Sequence, residues 1–246
     1  MDKEKIIAEF NRIRNEGYIP SRRAHNTGIG KTFEDYLGVD ENNVKAPDFA
    51  GFEVKSQRTA TSSFLTLFTK SPTHPVGVNA LLRDSYGEEY EEYPGLKRLH
   101  TSIFANQFNT HLGRTGFRIH VDRNDERLVI QAKDLHIGTI TDVAYWTYND
   151  VKDCLNKKLK GLFFVSADSK IENGKEYFHY TKAEIYLNPS FDDFLNLIDN
   201  GKVMIDIRIG SYKSGRNKGK AHDHGTGFRI KPSDLCTFYA EKIIVE

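Results

Sequence analysis

Asp48, Glu53 and Lys55 stand close enough in the chain to form a hydrolytic centre. Two neighbouring carboxylates suit a hard divalent cation such as Mg²⁺, which takes oxygen ligands and keeps several of its own waters. A lysine beside them can orient a water or, as the free amine, deprotonate it, and as an ammonium it can stabilise charge in a transition state. Phosphodiester hydrolysis needs that minimum: the phosphate's charge must be offset and a water activated. In Asp48-x4-Glu53-x-Lys55, the last two residues lie two apart on a strand and project from one face. The Val54 carbonyl between them offers a further ligand oxygen. The metal set read this way is Asp48, Glu53 and Val54. Charged residues make up 28% of the chain, so the spacing alone does not separate this site from an exposed strand of alternating charge.

The surrounding elements decide more. Residues 3–15 predict an amphipathic helix with Ile6, Ile7, Phe10 and Ile13 on one face, ended by Gly17 and Pro20. A polar stretch with Arg22 and Arg23 follows. A short helix is expected from about Lys31 to Leu37, closed by Gly38, with a short loop before Pro47. Residues 49–55 alternate with period two, Phe52 and Val54 pointing one way and Glu53 and Lys55 the other. Residues 63–69 read as the paired strand. Residues 75–110 are aromatic and irregular and give no placement. A hairpin is expected around Arg123-Asn124-Asp125, a helix over 149–158, and strands over 162–165 and 177–187. Ser190 with Asp193 starts a helix that Gly201 ends, and strands follow over 203–209 and 228–230. The pattern is mixed α/β.

A glycine-flanked helix bearing Glu34, a Leu37-Gly38 stop, a loop, then Pro47-Asp48 and the Glu53-x-Lys55 strand resembles the PD-(D/E)xK nucleases, in particular their MutH-like group. Length, this block and the C-terminal Arg- and His-rich loop resemble the restriction endonucleases that include MvaI and BcnI. The resemblance implies a mixed β-sheet flanked by helices, with two lobes around a DNA-binding cleft. It implies a restriction endonuclease acting as a monomer on a pseudo-palindromic site, CCWGG, cut after the second C. Glu34 would then position the metal site through a water or a second ion. A methyltransferase protecting host DNA would be the functional partner, and a bacterial cytoplasm the location. Within the same motif, a MutH-type nickase that needs a partner ATPase stays open. So does a DNA-binding module with a structural acidic cluster.

A second set lies between Asp206 and Ile230. Lys213, Arg216, Lys218 and Lys220 sit in a Gly- and Ser-rich loop suited to phosphates. Asp206, Arg208, His222, Asp223, His224 and Arg229 lie at its base. Arg can bond guanine O6 and N7 in a bidentate way, and Asp can accept from cytosine N4. Arg22 and Arg23, just before the Glu34 helix, are candidates for phosphates near the cut. Gly30-Lys31-Thr32 is not a P-loop: the first glycine of that motif would fall at His25, and residues 17–26 are polar rather than an apolar strand. His222-Asp223-His224 has no further His or Cys at zinc spacing.

Composition bounds these readings. With 246 residues the chain can bury a substantial core, and a net charge of +1 does not by itself announce nucleic acid. Two distant cysteines form no disulfide framework, which points to a reducing cytoplasm. The N-terminus has no secretory pattern, and no apolar run reaches the roughly 20 residues of a membrane span. No sharp linker appears. The expectation is one two-lobed protein over 1–246, with a catalytic lobe over roughly residues 1–135 and a recognition lobe over 136–246.

Overall fold

The computed structural model describes residues 1–39 and 47–245. Its elements begin with α1 (Lys3–Asn15), β1 (Ile19–Pro20), α2 (Gly28–Tyr36), β2 (Glu53–Arg58) and β3 (Leu65–Thr69). Next come α3 (Val78–Tyr86), β4 (Glu88–Tyr90), β5 (Tyr93–Ile103), β6 (Thr115–Asp122), β7 (Arg127–Asp134) and β8 (Ile140–Thr147). The chain closes with α4 (Tyr148–Lys158), β9 (Gly161–Glu172), β10 (Lys175–Pro189), α5 (Phe191–Asp199), β11 (Val203–Ser211), β12 (Ala221–Asp223), β13 (Gly227–Ile230) and β14 (Tyr239–Val245). The class is mixed α/β, as the sequence pattern predicts. Among the described residues no helix is long and apolar enough to cross a membrane.

Two compact units form. The first contains Met1–Leu65, Leu155–Ser190 and Pro232–Glu246; the second contains Thr66–Cys154 and Phe191–Lys231. Each therefore draws residues from both sides of position 135.

The first unit is built on a sheet of order β1-β10-β9-β2, with β14 also paired to β10. β9 carries Leu162-Phe163-Phe164-Val165, apolar on both faces, as a strand covered from both sides must be. β2 runs parallel to it, with Glu53 opposite Leu162 and Lys55 opposite Phe164. α1 buries Ile6, Phe10 and Ile13 from the predicted face, and its Asp2 cap accepts from the Lys5 N–H at 2.9 Å. Phe163 sits between Phe10 and Phe33, with ring centroids 6.0 and 6.5 Å away. α2 starts earlier than expected, at Gly28. A side chain there would collide with the Arg23 carbonyl and the Ser21 hydroxyl, so the glycine admits a close approach instead of breaking the helix. The expected loop between α2 and Pro47 lies largely outside the described residues.

Two strand expectations are corrected. Residues 49–55 are not one strand: Phe49 bridges Phe52 across a tight turn in which Ala50 and Gly51 take φ of 51° and 83°. Positive φ at both central residues is the geometry of a hairpin turn, and glycine supplies half of it at low cost. Residues 63–69 do not supply the partner of β2. Their strand, β3, pairs with β13, while β2 pairs with β9 from much later in the chain. Local alternation identifies a strand but not its neighbour.

The second unit holds a sheet of order β3-β13-β11-β5-β4, with β12 also on β11, and a three-stranded sheet β6-β7-β8. The β6–β7 hairpin forms where expected, with Val121 opposite Leu128. Trp146 and Phe228 meet at 5.4 Å, and Phe68 stacks on Phe228 at 4.6 Å. β11 buries Val203, Ile205, Ile207 and Ile209 on its core face, which leaves Asp206 and Arg208 on the other.

Phe163→Ala should cost about 3–5 kcal/mol, because a fully buried aromatic ring is removed from between two others. Urea unfolding followed by circular dichroism measures it; a loss under 1 kcal/mol would mean this core repacks freely.

Candidate active site and nucleic-acid interface

Glu53 opens β2 and is only 2% exposed. Its Oε1 accepts from Lys55 Nζ at 2.6 Å, and Lys158 Nζ at the end of α4 lies 3.9 Å from the same oxygen. Sequence spacing had placed Glu53 and Lys55 on one face, and this contact shows them there. Asp48 lies just before the turn. Its Oδ2 accepts from the Val54 N–H at 2.8 Å, which pins the Pro47-Asp48 segment to the strand. Burial raises the Tyr239 hydroxyl well above the usual tyrosine range, and the negative charge of Glu53 adds to it. Neutral, that hydroxyl donates to the Leu159 carbonyl at 3.0 Å.

A cavity of about 350 Å³ opens beside this strand, lined by Glu34, Lys31 and Gly30 of α2, by Val54, Lys55 and Ser56 of β2, and by Arg23. The helix is fixed from behind. Tyr180 donates to the Ile29 carbonyl at 2.7 Å, and the buried Thr32 hydroxyl accepts from the Arg22 N–H at 2.9 Å. Glu34 and Lys55 thus share one pocket. Arg23 joins them, whereas the Arg22 guanidinium lies over the Tyr36 ring at 4.7 Å.

Does this donor set fit a divalent cation? Glu53 Oε2 is buried and has no hydrogen-bond partner among the described residues. A buried carboxylate oxygen left unpaired is costly, and a metal ion would satisfy it. Among the described residues no three His, Cys, Asp or Glu side chains converge on one point. Mg²⁺ is commonly bound through one or two carboxylates and its own waters, so Asp48 and Glu53 with the Val54 carbonyl remain a fitting set.

The second cluster lies on the polar face of β11. Asp206 is fully buried. Its Oδ1 accepts from the Ser102 hydroxyl at 2.9 Å and pairs with Arg208 Nη2 at 2.9 Å. Its Oδ2 lies 2.7 Å from Arg229 Nη2, yet that approach is not aligned as a hydrogen bond: Asp206 Oδ2 and Arg229 Nε both lack a hydrogen-bond partner among the described residues. Strand register explains the grouping. Asp206 faces Ser102 and Arg208 faces His100 on β5, while Arg229 faces Met204 from β13. Burial holds the His100 imidazole below its usual pKa, and the cationic Arg208 and Arg98 push the same way. Burial likewise lowers His224, whose ring meets His222 at 4.3 Å. His222 stacks on Tyr212 at 4.4 Å. Lys213, Arg216, Lys218 and Lys220 are all exposed.

With this geometry in place, comparison with known proteins is informative. The model of the MvaI/BcnI restriction endonuclease family matches residues 7–239. The chain belongs to the MvaI/BcnI restriction endonuclease family. Its structure is similar to one described as the restriction endonuclease MvaI–cognate DNA substrate complex, with 37% identity, 100% of each chain covered and a TM-score of 0.89. It is also similar to MvaI in the absence of DNA, with 37% identity, 100% of this chain and 99% of the other covered, and a TM-score of 0.68. No curated protein matches at a significant level. The restriction-endonuclease fold inferred from the Glu34, Asp48 and Glu53-x-Lys55 block is thereby shown, and with it a nuclease that acts on DNA.

Two members of the MvaI/BcnI chain's expected readout set take other places. Asp206 was expected to accept from a base, but it is enclosed beneath Arg208 and Arg229 and serves as their counter-charge. Asp223 accepts from the Gly225 and Thr226 N–H groups, each at 2.9 Å, and from the Ser71 and Thr226 hydroxyls. Both its oxygens are engaged in closing a turn. Sequence reading missed Lys158, which is remote from the motif, and Arg98, His100 and Ser102 of β5. A signal for β5 was present: Leu99, Thr101 and Ile103 alternate as its buried face, but the polar Thr101 interrupts the apolar pattern.

Asp206→Asn should lower stability by about 1–3 kcal/mol, since a hydrogen-bonded charge is lost from beneath two arginines that can still turn toward water. Guanidinium titration of the variant checks this; an unchanged midpoint would show that the arginines need no counter-charge.

Proposed function

We propose that this chain is a type II restriction endonuclease that hydrolyses double-stranded DNA with Mg²⁺ at a short G·C-rich site. The observation that carries the reading is Glu53, a buried carboxylate with one oxygen on Lys55 and the other without a hydrogen-bond partner among the described residues, in a chain of this family. Asp48, Glu53 and the Val54 carbonyl would hold the metal, and Glu34 would act on the same pocket through water. When bound, Mg²⁺ would supply charge neutralisation on the phosphate and lower the pKa of a nearby water.

The chain's own groups do the rest. Lys55 Nζ, held at Glu53 as an ammonium, orients the attacking water and offsets charge on the reacting phosphate; to take the water's proton it must first give up one of its own and act as the free amine. Attack runs in line with the leaving 3′-oxygen, so the products carry 5′-phosphates. Arg208 and Arg229, fixed on strands by Asp206, hold guanidinium planes suited to guanine edges. Lys213, Arg216, Lys218 and Lys220 contact phosphates, with Arg23 assigned to phosphates near the cut. With one such centre per chain, a monomer would nick the two strands in turn. The site proposed from the resemblance is CCWGG, cut after the second C, in a bacterial cytoplasm where a methyltransferase protects host DNA.

Plasmid digestion tests the chemistry. Cutting should stop with a chelator, resume with Mg²⁺ or Mn²⁺, and pass through a nicked circle to defined linear products. Lys55→Ala should bind duplex nearly normally in Ca²⁺ and cut about 10²–10⁴-fold more slowly. Cutting that survives exhaustive chelation, or a Lys55→Ala variant at wild-type rate, sinks this mechanism.

Readout and positioning separate by competition binding in Ca²⁺ at several salt concentrations. Arg208→Ala or Arg229→Ala should cost about 1–3 kcal/mol on the cognate duplex and flatten discrimination at one G·C pair. Lys213→Ala, Lys218→Ala or Lys220→Ala should weaken all duplexes alike and lower the salt slope by roughly one ion. The reverse pattern would invert the assignment.

A further inference from the structure

The basic loop between β11 and β12 is tied down by a residue outside it. Arg83, on α3, is only 7% exposed. Its Nη1 donates to the Ser211 hydroxyl at 2.9 Å and to the Gly219 carbonyl at 2.8 Å. Those two partners stand at opposite ends of the loop. Ser211 closes β11, and Gly219 precedes Lys220 at the return. The Ser211 hydroxyl donates onward to the Lys97 carbonyl at 2.6 Å, and Lys97 Nζ donates to the Asp84 carbonyl at 2.9 Å. Arg83 Nε donates to Asp84 Oδ1 at 2.8 Å. One guanidinium thus joins helix, strand end and loop end.

The loop's own ties are short-range: around a 3-10 turn over Gly215–Asn217, the Lys218 N–H donates to the Gly215 carbonyl at 3.0 Å and the Lys220 N–H to the Asn217 carbonyl at 2.9 Å. The Tyr212 N–H donates to the Lys220 carbonyl at 3.0 Å and the Gly219 N–H to the Tyr212 carbonyl at 2.9 Å. Gly215 and Gly219 take φ of +71° and +84°, which glycine accepts without strain. A segment this rich in glycine and lysine has, by composition, the freedom of a flexible linker. Yet Lys213 Nζ is held 4.8 and 4.7 Å from the rings of Tyr90 and Tyr93, so its position is defined. Arg216 and Lys218 lie between the clamped ends and are exposed, and Lys220, just past Gly219, is exposed with its Nζ donating to Asn217 Oδ1 at 3.2 Å.

We propose that Arg83 is a positioning residue that clamps both ends of the basic loop and presents its four cations to backbone phosphates as a preformed array. The proposal rests on reading this loop as a phosphate-contacting segment. Its consequence is thermodynamic. Ordering the loop is completed on folding and does not oppose DNA binding. Removing the clamp keeps every charge of the loop but returns that ordering cost to the binding step. Affinity should fall while the number of released counterions stays the same.

The experiment uses the full chain in Ca²⁺ with a synthetic duplex of arbitrary sequence, because phosphate contact is independent of sequence. Arg83→Met should raise Kd roughly tenfold and Ser211→Ala by less, with the slope of log Kd against log salt unchanged. Hydrogen exchange at the Tyr212, Gly219 and Lys220 amides should accelerate in both variants. A triple variant Lys213→Ala, Lys218→Ala, Lys220→Ala should lower the slope, and adding Arg83→Met to it should change Kd little further. Thermal unfolding confirms the fold, and if Arg83→Met does not fold, Ser211→Ala carries the test. Wild-type Kd and loop exchange in the folded clamp variants overturn the proposal, as does full additivity with the triple variant. A triple variant with wild-type Kd and slope overturns instead the reading of the loop itself, whatever the clamp variants do to exchange.

Discussion

A carboxylate that is 2% exposed must meet positive charge, and the first unit is arranged around that need at Glu53. Water cannot supply the compensation, so the protein does, with Lys55 at 2.6 Å and Lys158 at 3.9 Å. Both cations bear on Oε1, which leaves Oε2 for another ligand. The burial follows from the strand's place: β2 lies parallel to β9 and opens next to the Phe49–Phe52 turn. Fixing the acid this way also fixes the ammonium two residues on, because both belong to one pleat. The relative placement of Glu53 and Lys55 is therefore set by backbone pairing before any ligand arrives.

The second unit solves a related problem with the signs arranged differently. A single buried acid, Asp206, sits under two arginines that remain partly open to water. Leaving Asp206 unpaired would cost several kcal/mol, so the arginines are drawn to it from two strands. Their guanidinium planes gain a defined direction without losing their outward edge. Lysines in the neighbouring loop are held by weaker contacts: Lys213 lies over Tyr90 and Tyr93, and Lys220 Nζ donates to the Asn217 side chain at 3.2 Å. The difference matches the division of labour proposed between base reading and phosphate contact, since a planar fork carries directional information and a point charge does not.

How much of this was legible in the sequence depended on whether the signal was local. Helix α1, the β6–β7 hairpin and α5 follow from apolar period and turn residues within a few positions of each other, and all three form. The pairing of Glu53 with Lys55 was legible because strand pleat alone determines it. The partner of β2 was not, because residues 63–69 and 162–165 are both credible strands and only the burial of both faces of β9 favours the latter. Asp206 and Asp223 were read as exposed acceptors because their neighbours are basic and polar. Nothing in that composition reveals that one is sealed under two arginines and the other is engaged by turn amides and hydroxyls. Arg83 was illegible and β5 only faintly marked for a third reason: residues 75–110 mix aromatic and charged side chains without a clean period, and their roles come from strands more than 100 residues later.

The net charge of +1 conceals the same point. Counted over the chain, acids and bases nearly cancel, and a polyanionic partner is not suggested. Counted by position, they do not behave alike. Glu53 and Asp206 are buried against cations, while Asp150 accepts from Thr73 and Thr147 and lies 3.4 Å from Lys70. Lys213, Arg216, Lys218 and Lys220 instead stand exposed on one clamped loop. A field at the surface is governed by charges that face water, because internally paired charges largely cancel at a distance beyond the pair. The loop can therefore attract phosphate although the chain as a whole is nearly neutral. Near-neutrality has its own consequence: little net charge draws in an arbitrary duplex, which limits general affinity and, under the proposed division of roles, leaves more of the binding free energy to Arg208 and Arg229.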